Sequence, residues 1–279
     1  LGGRTRRLGL YHHLPHRTEA GTMNYFGTLA LIVFGYMNLW YVVSLIQKRN
    51  DVADVAWGPG FALLAWAACL VSPETGDRGL LVAILVSIWG FRLAWHIHSR
   101  NRDKPEDYRY RAWRQNWGKW FFVRSYFQVF ILQGFLLLII STPIMIVNRY
   151  AGPDTCFWDV LGVAVWFVGF YFEVVGDAQL LRFVKDPANR GKLMTSGLWA
   201  YTRHPNYFGE VTLWWGLWLI TVPVPLGWLG VIGPVVISLL ILYVSGIPML
   251  EKKMAEKPEF EHYKRTVSAF FPMPVRKKI

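Results

Sequence analysis

Residues Gly197 to Glu210 place Arg203, His204, Asn206, Tyr201, Tyr207 and Glu210 in one short stretch between two long apolar runs. Pro205 disfavours helical geometry at His204 and suits the first turn of a helix. The spacing predicts irregular backbone over Tyr201 to His204 and a helix from Asn206 onward. Side-chain donors and the positive end of that helix would then meet an anionic ligand. A simple membrane anchor needs none of these groups.

Further constellations carry charge where apolar sequence surrounds it. In Asp51-x-x-Asp54-x-x-Trp57, two carboxylates three residues apart share one helix face at a membrane edge. An interfacial cap with Trp57 as aromatic anchor accounts for them. The alternative makes Asp54, the deeper acid, a desolvated donor to a carbonyl in a lipid-facing cavity. Arg92, in Trp89-Gly90-Phe91-Arg92, is the plainest charge inside an apolar run and requires a partner or water. Asp54 and Glu173 are the candidates, either as a structural ion pair or around a substrate. The stretch Arg100-Asn101-Arg102 through Arg109-Tyr110-Arg111 offers guanidinium forks for phosphate and aromatic faces for rings. A basic loop beside anionic lipid has the same composition. Glu173-x-x-x-Asp177-x-Gln179-x-x-Arg182 sets two acids one turn apart, able to pair with Arg92 or to hold amide and ribose groups. The tail, with Glu251-Lys252-Lys253 and His262-Tyr263-Lys264-Arg265, reads as a helix on a lipid surface.

The elements that must position these groups follow from hydropathy. The 279 residues are 53% hydrophobic and only 17% charged, with a mean hydropathy of +0.26. Apolar runs long enough to cross a bilayer predict an all-α polytopic membrane protein with seven transmembrane helices. The expected spans lie near 24–46, 56–71, 79–98, 127–147, 158–181, 207–222 and 226–250, with Pro143 kinking the fourth and a polar loop from Arg100 to Lys119. Residues 23–279 form one membrane domain, and 1–22 are set apart as a non-native or disordered tail because Met23 opens the first apolar run. Alternating the loops puts 23 Lys and Arg on one side and 2 on the other. The N-terminus is therefore expected outside and the C-terminus in the cytoplasm, with the chemically interesting loops facing the cytoplasm of a bacterial inner membrane. This asymmetry accounts for the net charge of +12, so no nucleic-acid partner is expected. Cys69 and Cys156 form neither a disulfide framework nor a zinc spacing, and no metal site is expected.

Taken together, Asp51-x-x-Asp54-x-x-Trp57-Gly58, Trp89-Gly90-x-Arg92-Leu93, Glu106-Asp107-Tyr108-Arg109-Tyr110 and Tyr201-x-x-x-x-Asn206-Tyr207-x-Gly209-Glu210 resemble the steroid 5-alpha-reductase family, in particular its bacterial branch. Their order and spacing cover nearly all of residues 24–275. The resemblance implies an NADPH-dependent reductase that delivers hydride to the beta carbon of an enone in an apolar lipid, typically a 3-oxo-delta-4 steroid. The acid that polarises the carbonyl maps to Asp54, with Asp51 beside it. The family's tyrosine maps near Trp89, which has no hydroxyl and leaves the proton's source open. Cofactor contacts map to Asp177, Arg182, Tyr201, Asn206 and Glu210, joined by Arg203 and His204, with Arg100, Asn101 and Arg109 toward the phosphates and Tyr263 closing over. Trp57, Arg92 and Glu173 fall on the substrate side. No Gly-x-Gly-x-x-Gly fingerprint is present, so a Rossmann site is not implied.

Two other classes remain open. The Arg-His-Pro-x-Tyr segment also looks like that of membrane methyltransferases that use S-adenosylmethionine on prenylcysteine or phospholipid. Those enzymes carry a Glu-Glu pair after the final helix, where this chain has Glu251-Lys252. A non-catalytic lipid-binding membrane protein would explain the hydropathy and the loops, but not several acids at one membrane edge.

Overall fold

The computed structural model describes residues 19–274, with side chains from Asn24 onward. Residues 1–18 of the expected tail lie outside the described residues. Its last part, from Glu19, is the start of the first helix, α1 (Glu19–Gln47). The chain continues through α2 (Val52–Val71), α3 (Asp77–Asn101), α4 (Tyr108–Ile140), α5 (Thr142–Arg149), α6 (Phe157–Lys185), α7 (Pro205–Thr221), α8 (Gly227–Met254) and α9 (Phe260–Thr266). Among the described residues there is no strand, and one isolated bridge joins Thr202 to Ser268.

Six of these helices, α1 from Asn24, α2, α3, α4, α6 and α8, are long and apolar enough to cross a membrane. The chain is an integral membrane protein. The segment expected as the sixth of seven spans is α7, which has 17 residues, at the short end of what crosses a bilayer.

The largest departure from expectation is α4. It begins at Tyr108, inside the stretch expected to be a loop up to Lys119. Asp107 explains the start, because its carboxylate accepts from the Arg109 backbone N–H at 2.9 Å and caps the first turn. The helix is then interrupted by a 3-10 turn over Gly118–Trp120 and a π turn over Tyr126–Ile131. Pro143 sits in the first turn of α5 after a break at Ser141, where the kink was expected.

The Lys- and Arg-rich loops meet at one end of the bundle. Asn50 N–H donates to Glu106 at 2.7 Å, Lys257 donates to the Lys192 carbonyl at 2.7 Å, and the Lys253 ammonium lies 4.5 Å from the centre of the Tyr108 ring. At the other end Arg78 pairs with Asp159 at 2.6 Å and donates to the Pro153 and Asp154 carbonyls.

Glycines set the closest helix approaches. Gly162, Gly169 and Gly176 of α6 recur every seven residues, as do Gly209 and Gly216 of α7. A methyl on Gly169 would overlap the Gly209 carbonyl and Leu213 N, and one on Gly209 would overlap Glu173 N. Gly58 and Gly90 make the same contact between α2 and α3. Such small-residue seams let membrane helices pack backbone to backbone. Their effect is to fix the polar residues of α6 and α7 against each other. Beneath them, Phe61, Trp89 and Trp214 pack edge to face in the core, with centroids 4.8–5.6 Å apart.

Candidate active site at the basic end of the bundle

The first half of the site joins α2 to α4. Asp54 Oδ1 accepts from the Tyr110 hydroxyl at 2.7 Å, and Oδ2 accepts from Arg109 Nη2 at 2.7 Å. Arg109 is held from behind, because Asp107 Oδ1 accepts from both its backbone N–H and its Nε at 2.9 Å. Burial alone would raise the Asp107 carboxyl. The hydrogen bonds from Arg109 outweigh it and hold the group below the usual carboxylate range. Arg109 Nη1 has no hydrogen-bond partner among the described residues.

The second half joins α3, α6 and α7. Arg92 donates to Glu173 through Nη2 and to Asp177 through Nη1, the latter at 2.6 Å. Trp89 Nε1 donates to the other Glu173 oxygen at 2.9 Å. Asn206 Nδ2 donates to Asp177 Oδ1 at 3.1 Å, and His96 Nε2 lies 3.8 Å from Asp177 Oδ2. The Asn206 Oδ1 and Arg92 Nε atoms are buried without a partner, a condition that buried polar groups seldom tolerate. Glu210, one turn along α7 from Asn206, makes no hydrogen bond among the described residues. The charges acting on it are those of Arg92 and Asp177.

Charges from both halves act on the Tyr207 hydroxyl: Glu210 and Asp177 from the second, Arg109 from the first, and Arg100 at the end of α3. Arg100 is exposed and, among the described residues, bonds only to Asn101 Oδ1, at 3.2 Å.

A third group closes the end of the bundle. Arg203 is buried, pairs with Glu251 at 2.7 Å and donates to the Lys264 and Val267 carbonyls. His204 is fully buried, lies 3.3 Å from the same carboxylate and stacks on Tyr207. Tyr263 donates to the Trp199 carbonyl, and Trp199 to that of Gly176. Gly197, at a φ of +64°, lies against the Gln179 amide, where a side chain would collide. Gln179 Oε1 in turn accepts from Leu198 N–H at 2.9 Å.

Several expectations change. Asp51 does not share a face of work with Asp54: Arg49 grips both its oxygens at 2.6 and 2.7 Å, and Asp107 N–H donates to it at 3.1 Å. The side chain is 2% exposed and pins the turn before α2 to the loop before α4. Trp89 faces Glu173 and the aromatic core. Trp57 is partly buried and edge-on to Phe61 at 5.0 Å, which does not suit a free interfacial anchor. Arg92 pairs with Glu173 and Asp177, both named as possible partners, and not with Asp54. Arg203 and His204 are directed into contacts with the C-terminal segment, and Tyr263, within that segment, donates to the Trp199 carbonyl. The side chains of Arg182 and Tyr201 are exposed and make no hydrogen bond among the described residues. The backbone after His204 behaves as Pro205 dictates: residues 201–204 are irregular and α7 begins at Pro205.

Tyr110, Asp107 and Glu251 were not among the expected site residues. Asp107 followed by Tyr-Arg-Tyr-Arg is an N-cap pattern that points to Tyr110 on the first turn. Glu251 had a signal only in the methyltransferase comparison.

The model of the family described as "Protein of unknown function (DUF1295)" matches residues 40–267. An uncharacterized protein of Schizosaccharomyces pombe is 26% identical over 282 residues, covering 88% of this chain and 78% of its own. No solved structure matches the chain.

Proposed function

The chain belongs to the DUF1295 family, and we propose that it is an NADPH-dependent reductase of the C=C bond of an enone in an apolar lipid, with 3-oxo-delta-4 steroids as the substrate class. The observation that carries this reading is the Asp54 carboxyl, held between the Tyr110 hydroxyl and Arg109, at the same end of the bundle as the polar set of Asp177, Asn206 and Glu210. In this reading α7 is a seventh span, the basic end faces the cytoplasm of a bacterial inner membrane, and substrate reaches the site from the bilayer.

The residues present suit a dinucleotide. Among the described residues Asn206 Oδ1 is a buried acceptor without a donor, the Glu210 carboxylate makes no hydrogen bond, Arg109 Nη1 has no acceptor, and the exposed Arg100 guanidinium engages Asn101 alone. Asn206, Glu210 and Asp177 would hold the amide and ribose groups, and Arg100 and Arg109 the phosphates. NADPH, when bound, supplies the hydride. Asp54 and Tyr110 would meet a substrate carbonyl: negative charge growing on its oxygen is stabilised by an acid and a phenol fixed in advance in a desolvated setting. The Phe61, Trp89 and Trp214 core keeps water from the membrane side of this group.

Thermal shift on the purified protein tests the reading. Stabilisation by NADPH, with oxidation of NADPH on addition of an enone lipid, is the expected result; stabilisation by S-adenosylmethionine alone would reverse it. That second reading, a membrane methyltransferase, draws on one observation. Arg203 and His204 converge on Glu251, the position where the methyltransferases resembled by this segment carry an acidic pair.

A further inference from the structure

We infer that Arg109 is a shared cation through which a phosphate-bearing ligand makes Asp54 take up a proton, an inference resting on the cofactor reading above. Asp54 and Asp107 both lean on the one Arg109 guanidinium, through Nη2 at 2.7 Å and Nε at 2.9 Å. Its remaining nitrogen, Nη1, has no acceptor among the described residues, and the side chain is 28% exposed. Arg100, the second cation acting on Asp107 and on the Tyr207 hydroxyl, engages only Asn101. A phosphate gripped by these two guanidinium groups becomes a third anion on a cation already shared by two.

The two carboxylates do not suffer equally. Asp107 keeps the Arg109 backbone N–H and the field of Arg100. Asp54 has only its Nη2 contact with the shared Arg109 and the neutral Tyr110 hydroxyl, and the other charge acting on it is that of Asp107, which is repulsive. A largely desolvated carboxylate whose counter-ion is divided among three anions is less well compensated, and protonation relieves it. One proton passes from solvent to the Asp54 carboxylate, giving the neutral acid, and no electron transfer is involved. Ligand binding thus converts Asp54 from an acceptor into a donor facing the substrate. Arg109 is a positioning residue in this scheme, acting through Asp54.

Calorimetric titration of the purified full chain with NADPH, near neutral pH in buffers of differing ionisation heat, reads the protons taken up on binding. The expected result is about one proton per NADPH in the wild type and none in Asp54→Asn, whose amide is isosteric and does not titrate. A new protonated-carboxyl infrared band on NADPH binding, missing in Asp54→Asn, is the matching spectroscopic result. NADPH binding without proton uptake, or uptake that persists in Asp54→Asn, overturns the inference. Failure to bind NADPH at all sinks the reductase reading alone. Pyrophosphate then serves as the probe: uptake that depends on Asp54 supports the coupling, and no uptake overturns it.

Discussion

The Tyr110 hydroxyl donates to Asp54 Oδ1 across 2.7 Å, from a ring only 3% exposed. The two residues come from different helices, and α4 begins just early enough to bring Tyr110 onto α2. Replacing Tyr110 by Phe removes the donor and keeps the ring. Turnover is expected to fall about tenfold or more, matching the roughly 1–3 kcal/mol lost when a buried group is left short of a partner. NADPH affinity should stay as it was. Unchanged turnover in the Phe variant would remove Tyr110 from the chemistry.

Asn206 and Glu210 stand one turn apart on α7; Asn206 Oδ1 is buried without a partner and Glu210 makes no hydrogen bond among the described residues. Asn206→Ala and Glu210→Ala are each expected to weaken NADPH binding about tenfold, by the same reasoning for polar groups matched to a ligand. Equilibrium binding monitored by NADPH fluorescence reads this directly, and full affinity in both variants would place the nucleotide elsewhere.

Arg92 is the counter-ion of two buried acids, Glu173 and Asp177. Arg92→Met strands both carboxylates and is expected to destabilise the protein by about 3–5 kcal/mol. Thermal unfolding in detergent would show the loss, and adding Glu173→Gln to the same chain should restore part of it. If the double variant is no more stable than Arg92→Met, the network is not held together by that charge balance.

The Asp107 cap carries a defined pH dependence. Its folded-state pKa lies below the unfolded value, so its contribution is fully present above the ordinary carboxylate pKa. It is lost as pH falls through the lower folded value. Asp107→Asn should therefore be less stable than wild type near neutrality, and the gap should close within that acidic window, giving a flatter acid-unfolding curve by circular dichroism. A variant curve parallel to wild type throughout would contradict the assignment.

The glycine seam makes a contrast within one protein. Gly169→Ala meets backbone atoms of Gly209 and Leu213 that cannot yield without parting α6 from α7. It should cost about 1–3 kcal/mol or more and weaken NADPH binding with it. Gly35→Ala, where a methyl meets no atom within 4 Å, should be neutral or gain about 0.5–1 kcal/mol. Similar melting temperatures for the two variants would argue against a packed seam.

How much of this was legible in the sequence depends on whether a residue's partner is set locally. The break at His204, the start of α7 at Pro205 and the turn around Pro143 follow from proline geometry and were readable. The pairing of Arg92 with Glu173 was readable because an intramembrane charge has few partners. The company of Asp54 was not. It depends on the loop before α4 folding back under Asp51 and Arg49, a tertiary clamp with no periodicity of its own. Charge density also disguised the first turns of α4, since a short helix with a solvated face looks like a loop. The sevenfold spacing of Gly162, Gly169 and Gly176 against Gly209 and Gly216 was present in the sequence as a sign that α6 and α7 lie together.

The last residues of the described chain are woven into its middle. Ser268 accepts from Arg203 N–H at 2.9 Å, Phe270 accepts from the Thr202 hydroxyl at 2.8 Å, and Met273 N–H donates to the Tyr201 carbonyl at 2.9 Å. During biosynthesis the spans can enter the bilayer one after another, yet the Arg203-His204 turn lacks its ion pair with Glu251 and its bonds to Lys264, Val267 and Ser268 until that segment has left the ribosome. The basic end is therefore assembled only after α8 has been made. Nascent chains halted before residue 251 should reside in the membrane with that turn still open to protease.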